Sequence, residues 1–304
     1  MTKNVLASIF SAARDMVRSP RALLVLVALY LALIASVFYF ITTREATVWQ
    51  LFVTGATVLL APVLFFVMQA AGASYAVGER TARGLLRRTA RGFLKVLLVS
   101  VPVILLAVLS VYLLNKLEQR AQLSPEERAR EQFSRMAEGE EDGAADSAAA
   151  PDEAKPKPPV RWKYLFVSAL RLFLLGVFLP LVAIQLWLAA VRDGLGAAFG
   201  RIHRHFARAF SAQSVLTYGV GMIFFALLPY FLITKRTPFD SNTLELLVFG
   251  ARIALAFSLM LFGWVMTMTA LARQGMATAT GATNELALDD TPESHATTPT
   301  AATT

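Results

Sequence analysis

Residues 165–190 read LFVSALRLFLLGVFLPLVAIQLWLAA, a long apolar stretch that contains a single charged side chain, Arg171. A nearly uncharged apolar run of about 18 or more residues is typical of a transmembrane helix. At 1.5 Å per residue, about 20 residues cross the roughly 30 Å hydrocarbon layer of a bilayer. The stretch therefore predicts a membrane span, and it leaves a permanently charged guanidinium to be explained.

The chain contains five further stretches of the same kind: 22–41, 48–70, 96–114, 215–234 and 246–272. Its 304 residues are 56% apolar and 16% charged, whereas soluble domains have about 45–50% apolar and about 25% charged residues. The sequence therefore predicts an all-α, polytopic membrane protein with six transmembrane helices. The first apolar run is too long for a signal-peptide core, so we expect it to remain as an anchor.

The charges alternate from one connecting segment to the next. Residues 1–21 carry four basic groups and one acidic group, residues 76–95 six and one, and residues 192–209 four and one. Residues 43–47 carry one of each, and residues 115–163 carry nine basic and eleven acidic groups. Because Lys and Arg concentrate in cytoplasmic loops, both termini are predicted to be cytoplasmic. The net charge of +8 has the same explanation, and no nucleic-acid partner is expected.

Three spans also align with one another without gaps. Beyond shared apolar residues, the alignment pairs Arg171 with Arg252, Arg192 with Arg273, and Gly194 with Gly275. The alignment predicts one membrane domain, 1–273, made of three helical-hairpin units: 3–75, 76–191 and 192–273. Each unit is expected to begin with a basic amphipathic helix that lies at the membrane interface.

The second of these basic segments has the clearest pattern. At 100° per residue, its cations fall within one arc of about 140°; they are Arg80, Arg83, Arg87, Arg88, Arg91 and Lys95. The opposite side is apolar: Ala82, Leu85, Leu86, Ala90, Phe93 and Leu97. This pattern predicts a helix whose basic face contacts anionic lipid head groups. The N-terminal segment has an apolar stripe of Val5, Ile9, Ala13 and Met16.

Two segments lie outside the repeat. The external loop 118–160, inserted in the second unit, is rich in Ala, Pro and charged residues. The tail 274–304 is rich in Thr and Ala. Such compositions bury too little apolar surface to offset the entropy of ordering, so disorder is expected in the loop beyond its helix-prone first part and throughout the cytoplasmic tail.

No reaction motif is present, and the spans hold no Asp or Glu at depth. His203 and His205 are two positions apart and would not face each other on a helix. The chain has no cysteine, which excludes thiolate metal sites. We therefore expect no catalytic residue, metal or cofactor. Prolines interrupt four spans, at positions 62, 102, 180 and 229, and broken helices of this kind keep transport open as an alternative.

Three stretches carry a family resemblance: SPRALLVLVALYLAL (19–33), RTARGFLKVLLVSVPVILL (88–106) and HFARAFSAQSVLTYGVGMIFF (205–225). Their pattern resembles a group of bacterial six-span proteins that includes the membrane domain accompanying some glycerophosphodiester phosphodiesterases. The likeness covers most of the membrane part but contains no diagnostic motif. It implies a bacterial cytoplasmic (inner) membrane protein. No phosphodiesterase activity is expected, because no segment has room for that barrel.

The favoured function is a non-enzymatic accessory or scaffold protein that organises membrane-protein partners or lipids. Arg171 lies about six residues inside the outer end of its span, about 9–10 Å deep, where it could simply snorkel to the head groups. Together, Arg171 and Arg252 could instead hold an anionic lipid or a partner's carboxylate. The alternative is a transporter or channel for an anionic solute or lipid that uses these two residues.

Overall fold

The computed structural model of the protein describes residues 2–43, 47–121, 162–235 and 242–289. Every regular element in these ranges is helical. The α-helices are α1 (Thr2–Arg18), α2 (Pro20–Thr42), α3 (Val48–Ala76), α4 (Ala82–Ala121), α5 (Trp162–Arg171), α6 (Leu179–Arg192), α7 (Leu195–Gly200), α8 (Ile202–Ala209), α9 (Ala212–Met222), α10 (Leu228–Thr234) and α11 (Asn242–Asp289). Two π-helical segments, π1 (Leu172–Phe178) and π2 (Ile223–Leu227), join α5 to α6 and α9 to α10.

Six helical stretches are long and apolar enough to cross a membrane: Pro20–Thr42, Val48–Ala76, Ala82–Gln119, Leu165–Arg192, Ala212–Thr234 and Thr243–Met276. The predicted all-α fold with six spans is therefore confirmed. The chain forms two compact units, one made of Met1–Val99 with Ile184–Thr304 and the other of Ser100–Ala183. The threefold repeat stays a prediction.

The basic segments differ from one another in the way they meet the spans. The first forms a single helix, α1, which is separate from its span because Pro20 at the first position of α2 starts a new helix. The second segment is continuous with the third span in the 40-residue helix α4. The third is divided into α7 and α8 at Arg201, directly after Gly200, because glycine is a poor helix former.

The last helix is longer than its sequence suggests. The apolar run ends at residue 272, but α11 continues to Asp289. The first part of the tail predicted to be disordered is therefore helical, and α4 likewise includes the first residues of the predicted external loop. The remainder of that loop, residues 122–161, and the end of the tail, residues 290–304, lie outside the described residues.

Two of the four span prolines follow a π-helical segment. Pro180 and Pro229 each come second in the helix after π1 and π2. The preceding amides, those of Leu179 and Leu228, donate to the carbonyls of Leu174 and Ile223, five residues back. A proline ring lacks an N–H and crowds the carbonyl four residues earlier, and a wider turn relieves that crowding. Pro62 and Pro102 lie within the α-helices α3 and α4.

The core of the first compact unit lies at one end of its spans. Leu26 of α2, Tyr75 of α3, Leu85 of α4 and Val265 of α11 are completely buried in one cluster. The buried part of α3 is confined to its last nine residues, Met68–Ala76. The earlier apolar side chains of α3 are exposed or half-buried, as expected for a helix that contacts hydrocarbon on much of its surface.

Small residues bring α11 close to the helix that contains π2. A Cβ atom added to Gly263 would lie 2.9 Å from the amide nitrogen of Phe225 and 3.0 Å from its Cβ. One added to Gly221 would overlap the Thr267 side chain. Thr267 Oγ1 instead donates to the Gly263 carbonyl at 2.6 Å. Close approach at small residues is the usual basis of helix packing in membranes, where hydrocarbon removes the hydrophobic driving force.

This packing predicts that Gly263→Ala destabilises the protein by about 1–3 kcal/mol, because a methyl group there must displace the backbone of π2. Gly250→Ala on the same helix is the matched control, since nothing lies within 4 Å of its added Cβ. Alanine favours helix over glycine, so the control should be neutral or slightly stabilising. Thermal unfolding in detergent measures both. Equal melting temperatures for the two variants would contradict the close contact.

Candidate functional site

Arg171 is paired with a carboxylate. It ends α5, and its Nη1 lies 3.3 Å from Oε2 of Glu118 on α4, within the second compact unit. The Arg171 side chain is about half exposed, at 49%. Glu118 falls in the segment predicted to be the external loop, but α4 continues far enough to present it to Arg171. The charge inside the span thus has a counter-ion as well as a route to the head groups.

Arg252 caps a helix. Its Nε donates to the carbonyl of Leu232 at 2.8 Å, and its Nη2 donates to the carbonyls of Leu232 and Lys235. These carbonyls belong to the C-terminal end of α10, where four acceptors have no partner within the helix and the helix dipole favours a cation. Arg171 and Arg252 therefore each have a partner within their own compact unit, and a joint anion site stays a prediction.

The basic face of α4 is present, but its neighbouring faces differ from the prediction. Arg83, Arg87 and Arg91 are exposed, and Arg88 and Lys95 are half-buried. The buried stripe is Leu85, Thr89, Gly92, Val96 and Val99. Of the residues predicted to form the apolar side, Leu86 and Ala90 remain exposed. The buried stripe therefore covers only part of the predicted apolar side. The exposed surface of the helix includes leucines as well as cations.

Arg80 does not belong to this helical face, so its predicted place in the arc was wrong. It lies in the turn before α4, where Gly78 has a positive φ of 112°. Its Nη1 donates to the carbonyl of Tyr75 at 3.1 Å, and its guanidinium carbon lies 4.0 Å from the centre of the Tyr75 ring. Its Nη2 lies 3.2 Å from Oδ2 of Asp15. Folding back onto α3 is favoured because Tyr75 and Asp15 together supply three kinds of contact for a cation.

Asp15 connects three parts of the first compact unit. Its Oδ2 accepts from Arg80 in the turn and from Arg273 on α11, and Arg273 also donates to Ser11 Oγ. The ring of Tyr75, which Arg80 contacts, belongs to the same cluster, and the hydroxyls of Tyr75 and Ser19 are 2.7 Å apart. The three charged side chains are about 30% exposed. Sequence reasoning missed this cluster, because Asp15 and Arg273 lie at opposite ends of the chain.

The cluster predicts that Asp15 and Arg273 are energetically coupled. In a double-mutant cycle with Asp15→Asn and Arg273→Gln, the coupling energy should be about 1 kcal/mol, a modest value because solvent screens partly exposed pairs. Thermal or denaturant unfolding in detergent gives the four stabilities. The control cycle replaces Arg273→Gln with Arg14→Gln on the exposed side of α1 and should be additive. Additivity in both cycles would contradict the ion pair.

A second group of cations surrounds a cavity of about 490 Å³. The residues that line it come from the end of α6, from α8 and from α11: Arg192, Asp193, Arg201, Arg204, His205, Arg208 and Met276. The turn after α6 is made possible by Gly194, whose φ of 90° is rarely adopted by other residues. We call this cavity the basic pocket. Its four arginines and one aspartate give a formal charge of +3 with His205 neutral.

The cations of the basic pocket follow from helical spacing. Arg201 stands at the N-cap of α8, and Arg204, His205 and Arg208 follow at intervals of three, four and seven residues. Residues at these intervals share one face of a helix. His203 and His205, two positions apart, do not share that face: His203 is exposed and His205 is buried. The overlooked signal was the four-residue pattern on one face.

The charged side chains of the basic pocket differ in whether they already have a partner within the protein. Arg192 holds Asp193 with two hydrogen bonds, of 2.9 Å from Nε and 2.8 Å from Nη2. This pair lowers the pKa of Asp193, so that carboxylate stays ionised. Burial, with Arg208 and Arg192 nearby, lowers the pKa of His205. His205 is therefore neutral at pH 7 and lines a strongly positive site.

The basic pocket shares Arg192, His205, Arg208 and Met276 with a narrower cavity of about 10 Å³, which is room for about one water molecule. Gln185 and apolar residues of α6 and α11 line that cavity. Within the described part of the chain, no group of three or more His, Asp or Glu side chains is placed to hold a metal ion. Arginines cannot serve as metal ligands, so the site is suited to anions.

Comparison of the chain with protein-family models, curated proteins and solved structures gives no match.

Proposed function

We propose that this chain is a non-enzymatic accessory protein of a bacterial cytoplasmic membrane that gathers anionic lipids and membrane-protein partners around its basic end. The observation that carries the proposal is the exposed basic face of α4. Within the described residues, Arg83, Arg87 and Arg91 have no carboxylate partner. Acidic head groups supply the missing anions most directly, because they lie at the level where a span leaves the hydrocarbon.

The available carboxylates support this assignment. The three basic segments, residues 2–21, 76–95 and 192–211, contain one acidic residue each: Asp15, Glu79 and Asp193. Asp15 pairs with Arg80 and Arg273, Asp193 pairs with Arg192, and Glu79 accepts from Thr81. The protein thus satisfies its structural cations internally and leaves those of α4 for another molecule.

The first helix supports the same function. Its stripe of Val5, Ile9, Ala12 and Met16 is buried, with Ala12 in place of the predicted Ala13. A second apolar stripe, Leu6, Phe10 and Val17, stays exposed, at 47%, 72% and 80%. The exposed Arg14 and Arg18 lie beside it. One face of α1 therefore packs on the protein, while another has the apolar and basic composition of a membrane-interface helix.

The lipid assignment predicts that Arg83→Gln/Arg87→Gln/Arg91→Gln reduces the preference for phosphatidylglycerol over phosphatidylcholine several-fold, since each surface cation contributes about 1 kcal/mol to anionic-lipid attraction. Electron paramagnetic resonance of spin-labelled lipids measures the relative association constants for the reconstituted protein. The matched control, Arg128→Gln/Arg130→Gln/Arg135→Gln, removes the same charge from the external loop and should retain the wild-type preference. Unchanged selectivity in the α4 variant would refute the assignment.

The orientation has a separate test. A periplasmic reporter enzyme inserted near Gly143 in the external loop should be active, because the charge distribution predicts that this loop is outside and that both termini are cytoplasmic. The same reporter fused after Thr304 should be inactive and serves as the control. An active terminal fusion with a silent loop insertion would reverse the proposed orientation.

The π-helical segments before Pro180 and Pro229 favour transport as a second candidate, since π-helical turns and broken spans are frequent at functional sites of membrane proteins. Arg171 and Arg252 are the residues assigned to an anionic solute in that case. Saturable anion flux into liposomes, lost in Arg171→Gln and Arg252→Gln, would support transport and overturn the accessory function. Absence of flux together with a stoichiometric co-purified partner supports the accessory function.

A further inference from the structure

The basic pocket is unused by the lipid-gathering function proposed above, which rests on α4 and α1. It differs from the basic face of α4 in being concave. Its volume of about 490 Å³ falls within the range of about 300–1,000 Å³ that is usual for small-ligand sites. A concave site with a net positive charge attracts small anions into it, whereas an exposed basic face interacts with any negatively charged surface.

Three of its guanidiniums are available to a ligand. Within the described part of the chain, Arg201, Arg204 and Arg208 have no hydrogen bond or ion pair to another side chain. The fourth arginine, Arg192, forms an ion pair with Asp193, which fixes its side chain in one wall of the pocket. Arg201 and Arg204 are exposed and Arg208 is half-buried, so the donors extend from the mouth of the pocket inward.

His205 adds a group with different chemistry at the buried side of the pocket. In its neutral form the ring has one nitrogen that can accept a hydrogen bond. That nitrogen can accept a hydrogen bond from the hydroxyl of a singly protonated phosphate. Alternatively, it can take up a proton when a phosphate dianion binds beside it. Asp193, Arg192 and Arg208 are the charged groups that act on His205 from α6 and α8.

We propose that the basic pocket binds a phosphate monoester, either as a soluble molecule or as the head group of a lipid. A monoester has three terminal oxygens and a charge between −1 and −2 near neutral pH, which matches three free guanidiniums and a site of formal charge +3. Each guanidinium can form two parallel hydrogen bonds to such oxygens. A phosphodiester has only two terminal oxygens and one charge, so it leaves one of the three arginines without a partner.

Titration calorimetry with the full-length protein, in nanodiscs of phosphatidylcholine, tests the proposal. The probes are inorganic phosphate, dioctanoyl phosphatidic acid as a lipid monoester, and dioctanoyl phosphatidylglycerol as a lipid diester. We expect saturable binding of at least one of the first two probes and binding of the diester about tenfold or more weaker, because the diester forms fewer charge-assisted hydrogen bonds. Binding of inorganic phosphate identifies a soluble ligand, and binding of phosphatidic acid alone identifies a lipid.

The variant Arg201→Gln/Arg204→Gln should lower the affinity for the bound monoester about tenfold or more. Both side chains are exposed, so folding should be preserved. Arg83→Gln/Arg87→Gln removes the same charge from α4 and should keep the wild-type affinity. Arg201→Lys/Arg204→Lys, which keeps the charge but loses the paired hydrogen bonds, should give an intermediate affinity.

Three results would overturn the proposal: binding of neither inorganic phosphate nor phosphatidic acid, equal binding of the diester, or equal losses in the pocket and α4 variants. The two proposals also fail separately. The α4 variant should change the lipid preference without changing monoester binding, and the pocket variant should do the reverse. A ligand-induced rise in melting temperature, present in the wild type and absent in Arg201→Gln/Arg204→Gln, provides a second measure of the same binding.

Discussion

A guanidinium cannot lose its proton in a protein, so every arginine near hydrocarbon requires an acceptor or access to water. Much of this protein's polar structure follows from that constraint. Arg171 pairs with a carboxylate from the neighbouring helix, and Arg252 with the free carbonyls of a helix end. Arg80 and Arg273 share one carboxylate, and Arg192 holds the aspartate next to it. The contacts of Asp15 with Arg80 and Arg273 hold the turn, the first helix and the last helix together within the first compact unit.

The same requirement separates structural cations from functional ones. Of the three carboxylates in the basic segments before α2, α4 and α9, two are occupied by Arg80, Arg273 and Arg192. The arginines left over form two surfaces of different shape, the convex face of α4 and the concave basic pocket. Shape then decides the expected partner: a row of exposed cations suits many anionic head groups at once, whereas a pocket with three free guanidiniums suits one phosphate group. Both surfaces belong to the part of the chain that the charge pattern predicts to be cytoplasmic.

Backbone packing imposes a parallel constraint. Hydrocarbon supplies no hydrogen-bond partners, so a proline within a span needs a local rearrangement or a neighbour that satisfies the freed carbonyl. Before Pro180 and Pro229 the helix widens into a π-helical turn. At π2, Gly263 of α11 lies against the backbone of Phe225, where any larger residue would clash. The sequence shows where the prolines are, but it does not show which of them will follow a π-helical turn. Pro62 and Pro102 lie within ordinary α-helices.

The sequence by itself determined the six spans and the all-α class, because apolar run length and internal backbone hydrogen bonding are local properties. It also determined the basic face of α4. The spacing of Arg201, Arg204, His205 and Arg208, which places them on one helical face, is likewise a property of the sequence. Tertiary structure decided which cations remain free. Arg80 left the predicted helical face for Tyr75 and Asp15, and Arg273 met a carboxylate from the opposite end of the chain. An ion pair depends on which helices become neighbours, and neither partner's local sequence specifies that neighbour.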